Sequence, residues 1–370
     1  MNATSMAPSQ PDDTGTAVLD AGAPVVLDGG GVLLADRLAT LLGDDVDSDG
    51  CDSSREEPAP PGRVQALVTA LVVLGPLVGV VAAVVSLFGH GVDALDLGLA
   101  VVFYAIAGHG VTAGFHRMLA HRGFKARRGT KIALSVAGSL AFEGAAIGWV
   151  ANHRQHHAYT DRVGDPHSPH LGGDAPWSKV KGALHAHVGW LFETRTTDVA
   201  RWAPDLAADR DLVVVSKLFP VLCVVSLGLP ALLGWAISGT AAGALGAFVW
   251  AGLVRVFVLQ HATFAVNSVC HIWGSRPFRT RSDDRATNFA PLALLSMGEN
   301  WHNLHHSNPR LARHGVDRRQ LDSTARLIRL LELAGLVSQV RWPTREQLDA
   351  KRNASQRAPR RRPEVVPLDR

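Results

Sequence analysis

Histidine is the residue type whose number and spacing most clearly indicate chemistry in this chain. The sequence contains 17 histidines among 370 residues. Nine of them fall into four compact groups: His116 and His121; His153, His156 and His157; His271; and His302, His305 and His306. In the second and fourth groups the spacing is i, i+3, i+4, which places three imidazoles on one face of a helix. Each of these triplets is therefore predicted to be a ready-made set of metal ligands.

The first group, His116 and His121, has a different spacing. Residues five apart on a regular α-helix are separated by about 140° around the helix axis. The two imidazoles therefore cannot share one face of such a helix. We expect this pair to lie at a helix end or to bind different metal ions.

The number of imidazoles indicates more than one metal ion. A tetrahedral zinc site is complete with about four ligands, so nine donors exceed what one ion needs. A lone histidine pair would more simply belong to an ordinary core, but three groups together with His271 favour two ions with four or five ligands each. Imidazole binds iron, copper and zinc alike, so the ligand type leaves the metal open.

Long apolar blocks must position these histidines. Hydrophobic residues make up 47% of the chain and charged residues 19%. Four blocks have the length of about 20 residues that a membrane-spanning helix needs. They are residues 66–88, 95–114, 212–237 and 241–266, and short links at 89–95 and 238–240 join them into two helical hairpins. This pattern excludes an ordinary soluble protein.

A fifth apolar block, residues 132–150, is predicted not to cross the membrane. If it crossed, His116 and His121 would lie on the opposite side of the bilayer from His153. The block also contains Glu143 and several glycines, which suits a helix in the membrane interface or against a polar cap.

The polar segments 115–131, 151–211 and 267–370 then share one side of the membrane. This side carries the basic residues next to the spans, among them Arg117, Arg122, Lys125, Arg127 and Arg128, whereas the hairpin tips contain neither Lys nor Arg. The positive-inside rule predicts that it faces the cytoplasm, together with both chain termini. The membrane is predicted to be a bacterial cell membrane.

Composition divides the chain into three parts. Residues 1–62 are acidic and are predicted to be a disordered tail, 63–340 are predicted to be the membrane domain, and 341–370 are predicted to be a basic tail. The three cysteines have no clustered spacing, so we expect neither a disulfide framework nor an iron–sulfur centre. No nucleic-acid partner is expected.

Three runs around the histidines resemble the three histidine boxes of membrane fatty-acyl desaturases, especially acyl-CoA desaturases of the delta-9 type. They are residues 114–122 (GFHRMLAHR), 149–157 (WVANHRQHH) and 298–306 (GENWHNLHH). The resemblance continues through 164–170 (GDPHSPH) and through Asn267 to His271, and it covers residues 66–315. The two tails lie outside it.

The resemblance implies an all-α integral membrane protein with a mushroom-like shape. Four transmembrane helices in two hairpins form the stem, and a cytosolic helical cap holds a dimetal site of two irons. The nine histidines would be the iron ligands, and Asn267 would hold a water on one iron. No catalytic side chain beyond these ligands and no other cofactor site is implied. The spacing of Asn267 and His271, four residues apart, places both on one helical face.

The resemblance also implies oxygen-dependent desaturation of a long-chain fatty acyl-CoA, at the delta-9 position. The alternatives are a diiron membrane hydroxylase of alkanes or lipids and a desaturase of phospholipid-linked acyl chains. A histidine-rich metal transporter would need polar or ionisable residues at mid-span, and the four spans offer few.

Residues next to the boxes have expected supporting roles. Acidic side chains orient metal-bound imidazoles through the other ring nitrogen, and the candidates are Glu143, Asp161, Asp165 and Glu299, with capping or surface carboxylates as the alternative. Trp149 lies where the family's acyl tunnel bends and is expected in the tunnel wall, unless it is simply core packing. His167, His170, His185 and His187 are expected to be cap residues, and His109 and His261 lie inside spans near the cap.

Desaturation consumes two electrons per turnover, and the sequence offers no built-in source. It contains no nicotinamide-binding fingerprint, no cysteine cluster and no His-Pro-Gly-Gly haem motif. We therefore expect an external NAD(P)H-dependent flavoprotein reductase, with or without a ferredoxin, docking near the Arg-rich segment 276–285. Membrane lipid and the acyl-CoA are the other expected partners, with Lys179 and Lys181 as candidates to hold the coenzyme A phosphates.

Overall fold

The computed structural model describes residues 63–89, 91–173, 175–193 and 197–357. The predicted acidic tail, 1–62, and the last part of the basic tail, 358–370, lie outside the described residues. The described part of the chain is predominantly helical, with two short strands, β1 (Lys125–Ala126) and β2 (Val337–Ser338), paired antiparallel.

Four helical rods are long and apolar enough to cross a membrane: Leu67–Val85, Ala94–Ala120, Phe219–Ser238 and Ala241–Ile272. The first belongs to α1 (Arg63–Gly89). The second consists of α2 (Ala94–His109) and the π-helical segment Gly110–Ala120. The third is α9 (Phe219–Ser238), and the fourth combines α10 (Ala241–Ala247), the π-helical segment Phe248–Val254 and α11 (Arg255–Ile272). The predicted two hairpins are confirmed.

The remaining helices of the described residues are short. They are α3 (Arg128–Ser139), α4 (Ala146–Tyr159), α5 (Pro176–His187), α6 (Val199–Trp202), α7 (Pro204–Ala207), α8 (Arg210–Lys217), α12 (His302–Ser307), α13 (Ser323–Leu333) and α14 (Arg345–Arg357), with 3-10 turns at Gly189–Phe192 and Ala290–Leu292. Together with their loops, they form a cap at one end of the four rods.

The third span starts later than the sequence predicts. Residues 210–217 form the separate helix α8, which buries Leu212 and Val215. Pro220, which has no N–H to donate, lies in the first turn of α9, where the fixed backbone angle of proline suits a helix start. The predicted span 212–237 was therefore wrong at its beginning, because its first residues form a helix of the cap.

The block 132–150 divides into two helices instead of forming one rod. Helix α3 ends at Ser139 and α4 begins at Ala146. In the turn between them Phe142 has a φ of 63° and Gly144 a φ of 104°, so the backbone leaves the helical path. Neither piece is long enough to span, in agreement with the prediction that this block stays on the cap side.

Helix α3 packs closely against the end of the second rod. A Cβ on Gly110 would lie 2.1 Å from the backbone nitrogen of Gly138, so the two backbones approach more closely than any side chain would allow. Phe115, Leu119, Ile147 and Val150 form a buried core beside this contact. This core holds the first and second histidine boxes next to each other.

The fold predicts which segments are exposed on the same side of a bilayer. In a background without the native cysteines, single cysteines at Asp93 and Thr240, in the hairpin tips, should react with a membrane-impermeant maleimide only from the side opposite the cap. Cysteines at Arg128 and Ser338, in the cap, should react only from the other side. Labelling of Arg128 and Thr240 positions from one side would contradict this arrangement.

Candidate metal centre

The nine predicted histidines converge on two adjacent clusters at the top of the helical stem. The first contains His116, His121, His153, His157 and His305, and the second contains His156, His271, His302 and His306. Within each cluster the candidate ligand atoms lie within 4.8 Å of one another. Seven of the nine residues are buried, and the other two, His153 and His157, are partly exposed.

Each i, i+3, i+4 triplet is shared between the two clusters. On α4, His153 and His157 point to the first cluster and His156 to the second. On α12, His302 and His306 join the second cluster and His305 the first. The prediction that each triplet is one ligand set was wrong. Around the helix axis, residues i+3 and i+4 lie on opposite sides of residue i. Because the two clusters lie side by side, the imidazole at i+3 enters one cluster and the imidazole at i+4 enters the other.

The π-helical segment explains how His116 and His121, five residues apart, reach the same cluster. In a π-helix each N–H bonds to the carbonyl five residues earlier, so residues five apart lie above one another. The N–H of His121 donates to the carbonyl of His116 at 3.1 Å. Both imidazoles therefore enter the same cluster, with His121 at the helix end. The expectation that this pair lies at a helix end is confirmed. The alternative, that the two histidines bind different metal ions, was wrong.

Four carboxylates lie next to the Nδ1 atoms of histidines in the clusters, and three of them accept hydrogen bonds there. Asp165 binds His156 and Asp161 binds His271, both at 2.9 Å. Asp284 binds His306 at 3.0 Å, and Glu299 binds His116 at 2.7 Å. Such contacts fix the tautomer that leaves Nε2 free as a ligand. Asp161, Asp165 and Glu299 were expected in this role, whereas Asp284 was missed because it lies among the arginines of segment 276–285.

The Nε2 atoms of opposing histidines face one another at short range. In the first cluster they are 2.7 Å apart between His121 and His153 and 3.0 Å apart between His116 and His305. In the second cluster His271 and His302 are separated by 3.1 Å. Two lone pairs at this distance repel, unless a cation lies between them. With metal–nitrogen bonds of about 2.1 Å, neighbouring ligands are about 3 Å apart, so the residues present fit metal ions.

The pKa values of these groups also favour metal binding. Burial raises the pKa of Asp165, but His156, His167 and the backbone N–H of Asp161 together lower it more, so the pKa lies below its usual range and the carboxylate is ionised. Burial lowers the pKa of His153, His157 and His305 well below the usual value. These imidazoles are therefore neutral, which is the form that binds a metal.

A buried arginine supports Glu299. Arg117 is 1% exposed and donates to Glu299 at 3.0 Å and to Asp322 at 3.0 Å. Glu299 also lies 3.2 Å from Nδ1 of His314, a buried histidine outside the two clusters. In the sequence Arg117 counted as a basic residue flanking a span. That reading was incomplete, because a long-range partner such as Asp322 leaves no signal in the local sequence.

Comparison with known proteins agrees with this geometry. The sequence model for fatty acid desaturases matches residues 94–331. The hex-5-enoyl-[acyl-carrier protein] acetylenase of Moorena producens (strain JHB) is 34% identical over 281 residues, which cover 75% of this chain and 87% of that protein. The chain belongs to the fatty acid desaturase family.

Two further relatives show the range of the family. The acyl-CoA C20 Delta5-desaturase of Anemone leveillei is 35% identical over 242 residues, which cover 65% of this chain and 72% of that protein. The sn-1 stearoyl-lipid 9-desaturase of Anabaena variabilis is 34% identical over 256 residues, which cover 68% of this chain and 86% of that protein. Family membership therefore supports a desaturase and leaves the carrier of the acyl chain open.

An apolar pocket, called the channel below, lies beside the clusters of this desaturase. Residues of the second and fourth rods line it together with His116, His153 and His302. Trp149, predicted for the tunnel wall, lines it and stacks on His153 with ring centroids 5.1 Å apart. Asn267 lines the same channel on α11.

Glu143 does not contact a histidine in the described part of the chain. Its carboxylate accepts hydrogen bonds from the Trp149 indole at 3.2 Å and from the Thr263 hydroxyl at 2.8 Å. The expectation that Glu143 orients an imidazole was therefore wrong. The glutamate instead holds the channel-lining tryptophan to α11.

The other histidines surround the clusters. His167 stacks on His156 at 4.4 Å, and His170 donates to the carbonyl of His271 at 2.8 Å. His187 lies 2.9 Å from His261, and His185 lies 3.3 Å from Glu193. The Nδ1 of His109 donates to the Ala105 carbonyl at 2.8 Å, within its own span. His167 comes closest to the second cluster.

The environment of Glu143 predicts a dependence of stability on pH. Burial raises its pKa from 4.5 to about 7. The folded state then holds this proton more tightly than the unfolded chain, so the contribution to stability is complete below about pH 4.5 and is lost as the pH rises through about 7. Glu143→Gln stays neutral, and its melting temperature should fall less between pH 5 and pH 8 than that of the wild type. Parallel curves would contradict the assignment.

Proposed function

We propose that this chain is a diiron desaturase that introduces a double bond into a long fatty-acyl chain with dioxygen as co-substrate. The observation that carries the proposal is the apolar channel beside two histidine clusters whose Nε2 atoms converge. An extended acyl chain fits such a channel, and nitrogen ligands suit iron.

The two clusters would each hold one iron. Five histidines would bind the first iron and four histidines the second, with Asn267 close enough in the channel to support a water on the second. When bound, the irons supply the oxidation of an unactivated carbon–hydrogen bond by dioxygen, for which no side chain is strong enough.

The residues of the chain would determine which carbons react. Trp149, held by Glu143 and stacked on His153, forms a rigid wall next to the first cluster. Leu259 and Met297 also line the channel and would offer apolar surface to the acyl chain. Holding two methylenes in one position beside the clusters is the main contribution that such a wall makes to catalysis.

For the substrate we propose a long-chain fatty acyl-CoA, with the double bond at the delta-9 position. Lys179 and Lys181 support this choice, because both are exposed on α5, which packs against the cap end of α11, and could bind phosphates. An acyl chain linked to a membrane lipid is the second candidate, favoured by the identity to the sn-1 stearoyl-lipid 9-desaturase. A hydroxylase would require the same clusters, but the family match favours desaturation.

The electrons would come from outside the chain. The described residues hold one buried and one partly buried cysteine that do not form a cluster. An external NAD(P)H-dependent flavoprotein reductase, with or without a ferredoxin, would supply them. The basic residues of the cap support a cytoplasmic cap. The location that we propose is a bacterial cell membrane.

The test combines metal and product analysis. The purified chain should contain about two irons, and with NADPH, a ferredoxin and its reductase it should convert stearoyl-CoA to a mono-unsaturated product identified by mass spectrometry. His305→Ala and His156→Ala should each lower the iron content and abolish the product. His185→Ala, outside both clusters, is the matched control. A hydroxylated product, or full activity with one zinc and no iron, would refute the proposal.

A further inference from the structure

We propose that an acidic electron carrier docks in a basic groove of the cap; this inference rests on the proposed function. The groove lies between residues 307–311, residues 340–342 and the side of α14 that carries Gln347 and Lys351. Its floor, Ser307, follows directly after His305 and His306, which belong to different clusters. A carrier in the groove would therefore contact the backbone that leads to both clusters.

The charge of the groove defines the partner. Arg310 and Arg341 are exposed and Lys351 is half-buried, and the described residues that line the groove include no acidic one. A protein surface with clustered carboxylates would be attracted to it, as in other electrostatically steered encounters. Small ferredoxins with acidic surfaces have this chemistry.

The segment predicted to dock the carrier, 276–285, is engaged in contacts within the cap. Arg281 donates to the carbonyl of His157, and Arg276 donates to the carbonyl of Asp284. Arg285 lies 3.1 Å from a ring nitrogen of His170. These arginines hold the loop that carries Asp284 over the second cluster. The groove beside them is connected to the same loop, because the Ser307 hydroxyl donates to the Arg279 carbonyl at 2.9 Å.

The groove also lies apart from the substrate. None of the residues that line it lines the acyl channel. A carrier could therefore bind while the acyl chain occupies the channel, as the supply of electrons during turnover requires. An acyl-carrier protein would be expected near the channel instead.

The test uses a plant-type ferredoxin and its reductase as the probe. Arg310→Glu/Arg341→Glu should weaken ferredoxin binding, measured by biolayer interferometry, and raise the KM for ferredoxin by about tenfold at low salt. Activity with dithionite as a chemical reductant should stay unchanged. Arg318→Glu/Arg326→Glu, two exposed arginines outside the groove, is the control and should bind like the wild type.

Two results distinguish a failure of the docking inference from a failure of the proposed function. If the groove variant binds ferredoxin as the wild type does, the docking inference is wrong. If the wild type forms no desaturated product with either ferredoxin or dithionite, the proposed function is wrong. Equal weakening in the groove and control variants would show a diffuse charge effect and would also overturn the assignment.

An independent observation concerns a buried cation inside the fourth span, and from it we infer that Arg255 positions the second histidine box. Arg255 is 2% exposed and forms no ion pair with an acidic residue in the described part of the chain. Its guanidinium donates to the carbonyls of Ala251, Leu140 and Ser226 at 2.8–2.9 Å. A charge at such a place is costly and usually serves a function.

The carbonyls that Arg255 binds lack ordinary helical partners. Pro230, four residues after Ser226, has no N–H to donate to the Ser226 carbonyl. Leu140 caps the end of α3, where helix carbonyls have no partner within the helix. Arg255 therefore connects α11 to α9, one turn before Pro230, and to the beginning of the turn 140–145.

Two more side chains of α11 bind the same turn. Gln260 donates to the carbonyl of Phe142 at 3.0 Å, and Thr263 donates to Glu143 at 2.8 Å. Phe142 has a left-handed backbone, which persists only where its surroundings hold it. The turn leads directly into α4, which carries Trp149 and the second box.

The other end of α11 reaches the second cluster. Residues at intervals of four from Arg255 are Leu259, Thr263, Asn267 and His271. Each interval turns by about 40° around the helix, so the contacts with the turn, the channel wall and a metal ligand follow one another along a winding stripe of α11. The hydrogen bonds from α11 to the turn therefore fix the position of Trp149 relative to Asn267 across the channel. Arg255 is a positioning residue in this arrangement.

The test compares Arg255→Lys with Gly79→Ala. Gly79 of α1 packs against Leu253 of the fourth rod, and a Cβ there would lie 2.2 Å from the Leu253 Cβ, so this control perturbs the packing of the fourth rod at a residue that does not contact the turn. Arg255→Lys retains the charge but cannot reach all three carbonyls. It should speed amide exchange in residues 140–145 severalfold, broaden the distribution of double-bond positions and lower the product formed per dioxygen consumed.

The control defines what would contradict the inference. At a similar loss of melting temperature, Gly79→Ala should keep the wild-type double-bond position and the wild-type exchange in the turn. If Arg255→Lys does the same, Arg255 only stabilises the fold. Should Arg255→Lys fail to fold, Ser226→Ala, which removes the hydroxyl that binds both Arg255 and Leu140, should show smaller shifts of the same kind. Unchanged exchange in that variant would also overturn the inference.

Discussion

The mutual repulsion of imidazole lone pairs is the constraint on which the site depends. Opposing Nε2 atoms of the clusters are separated by 2.7–3.4 Å, a distance at which two unprotonated Nε2 atoms repel each other and a bound cation removes the repulsion. For this the Nδ1 proton must be fixed, and carboxylates perform that task. Asp161 adopts a left-handed backbone with a φ of 59°, and its carboxylate receives both the His271 ring and the backbone N–H of Arg285. The cap loops therefore take conformations that are unfavourable in isolation in order to hold the imidazoles.

The ligand histidines and the spans could be predicted from sequence because both have strong local signals. The division of the ligands between two clusters could not, since it depends on how α4 and α12 face each other across the site. The π-helical turn that unites His116 and His121 has no sequence signal, because its hydrogen bonds differ from those of an α-helix by a single residue. The third span was misplaced at its start because hydropathy does not distinguish the buried residues of α8 from lipid-facing ones.

Two buried arginines show a second limit of sequence reasoning. The expectation of few polar residues at mid-span overlooked Arg255, whose partners are backbone carbonyls freed by Pro230 and by the end of α3. The charge of Arg117 is compensated differently, by two carboxylates at hydrogen-bond distance. Backbone carbonyls are present in every sequence, and a distant carboxylate becomes a partner only through folding. The partner of a buried charge is therefore a property of the tertiary structure, whereas its presence is visible in the sequence.

The charges around the clusters bear on the binding of metal ions. Asp322 is paired with Arg117, which leaves four buried carboxylates facing the histidines: Asp161, Asp165, Asp284 and Glu299. Buried charges persist where they are compensated, because an unpaired ion in a medium of low dielectric constant is strongly destabilised. Neutral imidazoles contribute no charge, so these carboxylates make the surroundings of the clusters negative, which favours the binding of cations. Three of the four carboxylates contact the second cluster, which has only four histidines, and one contacts the first, which has five. The cluster with fewer nitrogen donors thus has the more negative surroundings, which helps both positions to attract a divalent ion.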